Sequence, residues 1–423
     1  MTYEQAVAYI SSLQKRGWRL GLDRILYFLN LIGNPHQELK YFHVAGTNGK
    51  GSVTAMLQSV LFECGYNVGA FYSPYVYDFR ERIQCGKDFI SKQDVARLTE
   101  YLIPYNETIE KTELEGLTEF EFKTAMGFLF WKEKKCDHVC LETGLGGRLD
   151  ATNVVSPQVS IITEIGLDHT QHLGSTIEEI TKEKAGIIKP NIPVVTGVTN
   201  KNCLEIIQKK SAQQKSPLWA IGKNVFVKST SISCDVKTPK SKWDNLTTNL
   251  IGEHQHRNLA LCISALEISD ISFHEKQLRK GLNSVSLSGR FEVISQKPTI
   301  ILDGAHNPQS ISALLKTVQE NYPNHKVKII YSASTGHDIK GTVCQLLKAS
   351  SDIMICEMNH PRRMSLIEMK NIISMCGNPI KYFTTSQDAL QHTLSNIKQN
   401  ELLLITGSFY LLSEIKQHFN AMK

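Results

Sequence analysis

The sequence predicts an α/β protein in two parts: a P-loop-containing, mostly parallel sheet domain with a small antiparallel excursion, followed by a second, Rossmann-like α/β domain. Three observations carry this. Short apolar runs alternate with stretches of helical spacing, the pattern of a parallel sheet covered by helices. One such run, Tyr41-Phe42-His43-Val44-Ala45, leads into a glycine-rich lysine loop and then a helix marked by Val53, Met56, Leu57, Val60, Leu61 and Cys64, with Gly65 at its C-cap. A chain of 423 residues also exceeds one typical core.

Taken in order, the first part offers strands at 41–45, 67–72, 137–142, 158–162 and 192–196. The segment 224–250 differs: Val225, Val227, Ile232 and Val236 alternate with polar and turn residues, as a small antiparallel excursion would. A second α/β series begins near Lys297, with strands at 298–303, 326–331, 352–356 and 402–406. The small-residue stretch within 284–296 is the expected boundary, giving domains 1–289 and 297–423. There is no internal repeat.

Composition narrows the function classes. Ten cysteines lie scattered without C-x-x-C pairs, which argues against a zinc site or a disulfide scaffold and for free thiols in a reducing compartment. No basic segment leads an apolar one at the N-terminus and no apolar run reaches membrane-spanning length, so a cytoplasmic protein without a membrane partner is expected. The net charge of +6 favours anionic ligands. No dense Lys/Arg stripe with interleaved aromatics points to nucleic acid. Asn106-Glu107-Thr108 and Asn245-Leu246-Thr247 match the glycosylation pattern but carry no meaning without secretion.

The loop Gly46-Thr47-Asn48-Gly49-Lys50-Gly51-Ser52 is the strongest chemical signal. Glycines let backbone N–H groups converge on phosphate oxygens, the helix N-terminus adds positive potential, Lys50 reaches the β/γ-phosphates, and the Ser52 hydroxyl suits Mg²⁺. The general pattern G-x-x-x-x-G-K-S/T would want glycine at 44 and Ser or Thr at 51, where this chain has Val44 and Gly51. Further polar residues sit at predicted strand ends, where parallel sheets present ligands. Glu142 ends one strand and precedes Gly144-Leu145-Gly146-Gly147, which does not complete a dinucleotide fingerprint; its carboxylate suits an Mg²⁺ that bridges phosphates. Asp168-His169 follow another strand. Thr176 and Glu179 then form a T-x-x-E capping box for a helix over 177–186 that carries Lys184.

These segments together resemble the folylpolyglutamate synthase/dihydrofolate synthase family of the Mur ligase superfamily. The motifs run in family order: the loop 46–52, Glu142 to Asn153, Gly166-Leu167-Asp168-His169, Glu183-Lys184-Ala185-Gly186-Ile187, Gly252 to Asn258 with His254-Gln255 between, Gly289-Arg290-Phe291, Asp303 to Pro308, and Thr406-Gly407-Ser408-Phe409. The resemblance implies an ATP-dependent, ADP-forming ligase that adds L-glutamate to dihydropteroate, to tetrahydrofolates or to both through an acyl phosphate, and the segment 147–153, similar to that of bifunctional members, favours both. It implies Thr47, Asn48, Gly49, Lys50, Gly51, Ser52, Asn258, Arg290 and Asp303 at the nucleotide, Ser52 and Glu142 on one Mg²⁺, and Glu142, His169 and a carbamylated Lys184 on a second. K⁺ is a further candidate cation. Lys50, Lys184 and His306 take catalytic roles; Ser73, Arg82, Phe120 and Asp150 face the folate, while His306 and Ser408 face glutamate. The family is usually monomeric.

This chain departs from the family pattern at Tyr75 and Tyr410, where His is usual, and at Ser334-Thr335-Gly336-His337-Asp338, which is only loosely similar to a Lys-Asp loop. Two rivals are weaker. A muramyl-peptide-type ligase would need a UDP-sugar domain ahead of the loop, and about 45 residues precede it. A P-loop NTPase switch for GTP would want Asn-Lys-x-Asp, and Asn200-Lys201-Asn202-Cys203 lacks the Asp.

Overall fold

The computed structural model describes residues 1–374 and 380–421. Two compact units emerge. The first comprises 1–165, 176–249 and 255–286, and the second comprises 166–175, 250–254 and the chain from Leu287 on.

The first unit is built on eight strands: β1 (Tyr41–Ala45), β2 (Val68–Phe71), β3 (Ile83–Cys85), β4 (Asp88–Phe89), β5 (His138–Glu142), β6 (Val159–Ile162), β7 (Val194–Thr196) and β8 (Leu218–Ala220). Their order is β4-β3-β2-β5-β1-β6-β7-β8. All neighbours pair in parallel except β2 with β3 and β3 with β4. β1, β2, β5, β6 and β7 are buried along their whole length, which is why each reads as an unbroken apolar run. β3, β4 and β8 were not foreseen, since each is two or three residues long and at least partly exposed. The helices Glu119–Glu133 and Asp23–Leu31 place Phe122, Phe128, Trp131, Phe28 and Leu29 in one apolar cluster with Phe71 and Leu141. The antiparallel excursion is present as a three-stranded sheet of β9 (Phe226–Ser229), β10 (Cys234–Lys237) and β11 (Lys242–Leu246).

The second unit has β12 (Glu292–Gln296), β13 (Thr299–Leu302), β14 (Lys326–Tyr331), β15 (Asp352–Cys356), β16 (Lys381–Phe383) and β17 (Glu401–Thr406), ordered β12-β13-β17-β14-β15-β16. The sheet therefore starts before Lys297: β12 pairs antiparallel with β13, and its half-buried Glu-Val-Ile-Ser-Gln sequence reads as linker. β13, β17, β14, β15 and β16 are parallel, and Ile301, Ile329, Ile355 and Leu404 form their core. The nine described cysteines are free thiols; Cys376 lies outside the described residues. Among those residues no helix is long and apolar enough to cross a membrane.

Candidate active site

In the first unit β1 lies between β5 and β6, so the loops after these three strands emerge side by side, about 4.8 Å apart from strand to strand. The loop after β1 runs straight into the helix Lys50–Glu63, with Gly49 in a left-handed conformation at its N-cap. Only glycine suits two positions here. A Cβ at Gly46 (φ +151°) would lie 1.8 Å from Thr163 Oγ1, and one at Gly49 (φ +87°) 2.5 Å from Asn258 Oδ1. The segment after β6 braces the loop: Thr47 N donates to Glu164 O at 2.7 Å, and Thr163 Oγ1 donates to Asn48 O at 2.7 Å. Asn258 is held by its own Nδ2 bond to Gln255 Oε1 at 2.9 Å. Gly51 and Ser52 are buried in the first helical turn.

Two lysines converge on this loop. Lys50 Nζ donates to Gly46 O at 3.0 Å and to Thr47 O at 3.1 Å; Lys184 Nζ donates to the same Gly46 oxygen at 2.8 Å. Lys184 closes the helix Ile177–Lys184, which begins on the foreseen Thr176/Glu179 capping box and continues as a 3₁₀ turn, Ala185–Ile187. That helix end is locked to the turn after β5. Arg148 N donates to Glu183 O at 2.7 Å, and a Cβ on Gly147 would stand 2.9 Å from the carbonyl oxygens of Glu183 and Lys184. Glu142, buried at the end of β5, accepts from Ser73 N at 3.0 Å through Oε2. The buried hydroxyl of the adjacent Thr143 has no hydrogen-bond partner among the described residues.

These residues fit an Mg²⁺ in part. A hydroxyl from Ser52 and a carboxylate from Glu142 are hard oxygen donors of the type Mg²⁺ takes. Lys184 as an ammonium offers donors only and fits a cation only once its charge is replaced.

The residues expected at the folate gather around Arg82, towards β2. The Arg82 guanidinium lies 5.6 Å from the Phe71 ring centroid and 5.7 Å from those of Tyr75 and Phe120. A Cβ on Gly144 would touch Phe120 at 2.5 Å, so the turn after β5 rests directly on that ring. Tyr75, one of the departures, thus joins an aromatic cage around Arg82. Asp150 is fully buried and fully engaged: Oδ2 accepts from Gly144 N (2.9 Å) and Leu145 N (2.8 Å), and Oδ1 from Thr152 N (3.0 Å) and Thr152 Oγ1 (2.5 Å). Burial raises its carboxyl above the usual range, against those four bonds. Sequence reasoning missed Lys123, whose buried ammonium pairs with Glu119 at 2.5 Å. Burial first, and then the Arg82 charge, bring it down to about 7. The signal was its place three residues after Phe120, on the same helical face.

In the second unit the loops after β13, β17 and β14 are also neighbours. Asp303 Oδ2 accepts from Phe291 N and Oδ1 from Ala305 N, both at 2.8 Å, which pins the turn carrying Arg290. Burial raises the Asp303 carboxyl and the Arg290 charge opposes the rise. The Arg290 guanidinium lies 4.6 Å from the Phe409 ring centroid. His306 Nδ1 is 2.7 Å from Gly304 O, and Ser408 Oγ is 3.4 Å from Ser334 Oγ. Tyr410, the other departure, stacks on His360 with 3.5 Å between ring centroids. His169 belongs to this unit, as does Asp168. Burial alone would raise the Asp168 carboxyl, but the imidazoles of His306 and His337 hold it well below the usual range. The sequence marks His337 only as part of the departing loop 334–338 and gives it no role.

Residues 44–266 match the Mur ligase middle domain, and residues 289–409 match the Mur ligase, glutamate ligase domain. Fold and site thus define a Mur-type ligase. The dihydrofolate synthase/folylpolyglutamate synthase of Bacillus subtilis is 35% identical over 427 residues, covering 98% of both chains. Escherichia coli FolC in complex with DHPP and ADP superposes with a TM-score of 0.91 at 28% identity, over 100% of this chain and 98% of that one. Mycobacterium tuberculosis folylpolyglutamate synthase complexed with ADP gives 0.92 at 25% identity, over 99% of each. The chain belongs to the folylpolyglutamate synthase/dihydrofolate synthase family.

Proposed function

We propose that this protein is an ATP-dependent, ADP-forming ligase that joins L-glutamate to dihydropteroate and to tetrahydrofolates. The observation that carries the reading is that the phosphate loop and Glu142 follow adjacent strands and Lys184 bonds to that loop, in a chain 35% identical over 98% of its length to a dihydrofolate synthase/folylpolyglutamate synthase. A substrate carboxylate oxygen attacks the γ-phosphorus of ATP, the bond to the β-phosphate oxygen breaks, and ADP leaves behind an acyl phosphate. The glutamate amine then attacks the acyl carbon, loses a proton and expels phosphate as the amide forms.

Within residues 1–289, Lys50 and the amides of Asn48, Gly49 and Gly51 take the phosphates, with Thr47 shaping the loop through its bond to Glu164 O and Asn258 further along the nucleotide; beyond them Arg290 also reaches the nucleotide, and Asp303 holds the Arg290 turn. Two Mg²⁺, one on Ser52 and Glu142 and one on Glu142, His169 and carbamylated Lys184, would supply neutralisation of the phosphate charge. K⁺ is a further counter-ion candidate. Arg82, Phe120 and Ser73 receive the folate, and Asp150 acts there through the turn it holds. In residues 297–423, His306 and Ser408 receive glutamate. With Nδ1 donating to Gly304 O, His306 presents Nε2, which lies 3.7 Å from Asp168 Oδ2, as the ring atom that meets the amine. The same reading has the enzyme acting as a cytoplasmic monomer.

The test is an ATP-dependent ligation assay with labelled glutamate, offering dihydropteroate and tetrahydrofolate separately, with product mass and phosphate release followed together. Product from both acceptors, with phosphate release that depends on glutamate, supports the reading. Phosphate release indifferent to glutamate would make the protein an NTPase instead.

A further inference from the structure

Asp168, His306 and His337 present three metal-competent atoms within 4.8 Å of one another, all in the second unit. Each imidazole also stands at the spacing of a neighbouring ligand from one of the two Asp168 carboxylate oxygens. Asp168 Oδ1 is 3.2 Å from His337 Nδ1, and Asp168 Oδ2 is 3.7 Å from His306 Nε2. Bonds of about 2.0–2.2 Å to imidazole nitrogen and carboxylate oxygen put adjacent donors of a four-coordinate ion about 3.4 Å apart. The longer separation is beyond a hydrogen bond and the shorter one at its limit. The His306 and His337 rings are 4.7 Å apart between centroids and tilted by 51°, so the two imidazoles are direct neighbours.

The orientation of His306 adds a second, independent argument. Its Nδ1 lies 2.7 Å from Gly304 O and carries the proton of that bond, which turns Nε2 towards Asp168. Metal-binding histidines are commonly fixed by such a bond to a backbone carbonyl. Asp168 is likewise oriented, with Oδ1 accepting from His169 N at 2.9 Å. Side-chain exposures of 10% for Asp168 and His337 and 24% for His306 leave the cluster reachable from solvent.

We propose that Asp168, His306 and His337 form a site for a divalent transition-metal cation of the zinc or cobalt class, separate from the Mg²⁺ used in ligation. Two imidazoles and one carboxylate suit this class, whereas Mg²⁺ takes oxygen donors and keeps its waters. An occupied site engages His306 Nε2, so the cation opposes glutamate use; that consequence, unlike the site, rests on the glutamate role proposed for His306.

The experiment titrates Co²⁺ into the full-length enzyme with no nucleotide, Mg²⁺ or glutamate present, following its visible absorption, and then displaces it with Zn²⁺. One Co²⁺ per chain in a low-coordinate spectrum, displaced by Zn²⁺ and resistant to excess Mg²⁺, is expected. His337→Gln keeps an N–H for Asp168 but removes a ligand, and should weaken binding at least tenfold; Lys184→Ala should leave it unchanged. Equal Co²⁺ affinity in wild type and His337→Gln would overturn the proposal, as would loss of binding in Lys184→Ala. Should His337→Gln not fold, X-ray absorption of the wild-type Zn²⁺ complex decides: two imidazoles with oxygen support the site, and an oxygen-only shell overturns it.

Discussion

As an ammonium, Lys184 donates to the Gly46 carbonyl oxygen and cannot coordinate a cation; as a carbamate it becomes a carboxylate-like oxygen donor beside the phosphate loop. Lys184→Ala is therefore expected to abolish ligation while leaving the melting temperature near wild type, and short carboxylic acids should restore part of the rate. Labelled bicarbonate should exchange into wild-type enzyme and not into the variant. An active enzyme carrying an unmodified Lys184 would refute this. Lys123 offers a second test at this scale. Its folded value of about 7, against 10.5 for an ordinary lysine, means that the folded state binds fewer protons than the unfolded chain between those two values. Stability therefore rises with pH across that window and is lost as pH falls towards 7. In urea unfolding, wild type should gain on the order of 1–2 kcal/mol more than Lys123→Met between pH 7 and pH 9. Parallel pH curves for the two proteins would show that Lys123 titrates normally.

The turn after β5 and the helix ending at Lys184 act as one element, because Gly147 lets their backbones meet. The clash that a methyl group would make there is with two carbonyl oxygens rather than with a flexible side chain. Gly147→Ala should therefore displace Lys184 and cut kcat by about tenfold or more, at a stability cost of about 1–3 kcal/mol, while nucleotide affinity changes little. Unchanged kcat would show that the turn does not set the Lys184 position. The elements that the sequence made legible share a physical cause. β1, β5, β6 and β17 are buried on both faces or nearly so, β14 over its second half, and their composition announces it. β3, β4, β8, β12 and β16 are short or half-exposed, and nothing in their residues separates them from loops. In the same way the phosphate loop, Glu142 and Lys184 were visible through motif order. The full occupation of Asp150 and Asp303 by backbone amides was not, since hydrogen-bond partners distant in sequence leave no local pattern. His337, noted only within the departing loop 334–338, had no visible role for a related reason: its meaning comes from Asp168, which is far away along the chain.

At the scale of the whole molecule, the candidate groups divide by unit: the phosphate loop, Glu142, Lys184 and the Arg82 cage belong to the first, and Asp303, His306 and Ser408 to the second. If one enzyme serves both dihydropteroate and tetrahydrofolates, the acceptor must be distinguished by the first set alone, because glutamate is common to both reactions. A lesion in the second set should then depress both reactions in the same proportion. Ser408→Ala, which removes one hydroxyl, is expected to raise the glutamate KM about fivefold with either acceptor, the scale of one lost hydrogen bond. Phe120→Ala opens the cage around Arg82 and removes the ring on which the Gly144 turn rests. It should raise acceptor KM by about tenfold, unequally for the two acceptors, and leave the glutamate KM alone. Steady-state kinetics of both variants with both acceptors decides the matter. A change of acceptor preference in Ser408→Ala as large as that in Phe120→Ala would mean that the second unit also reads the pterin, and the division of labour would fail.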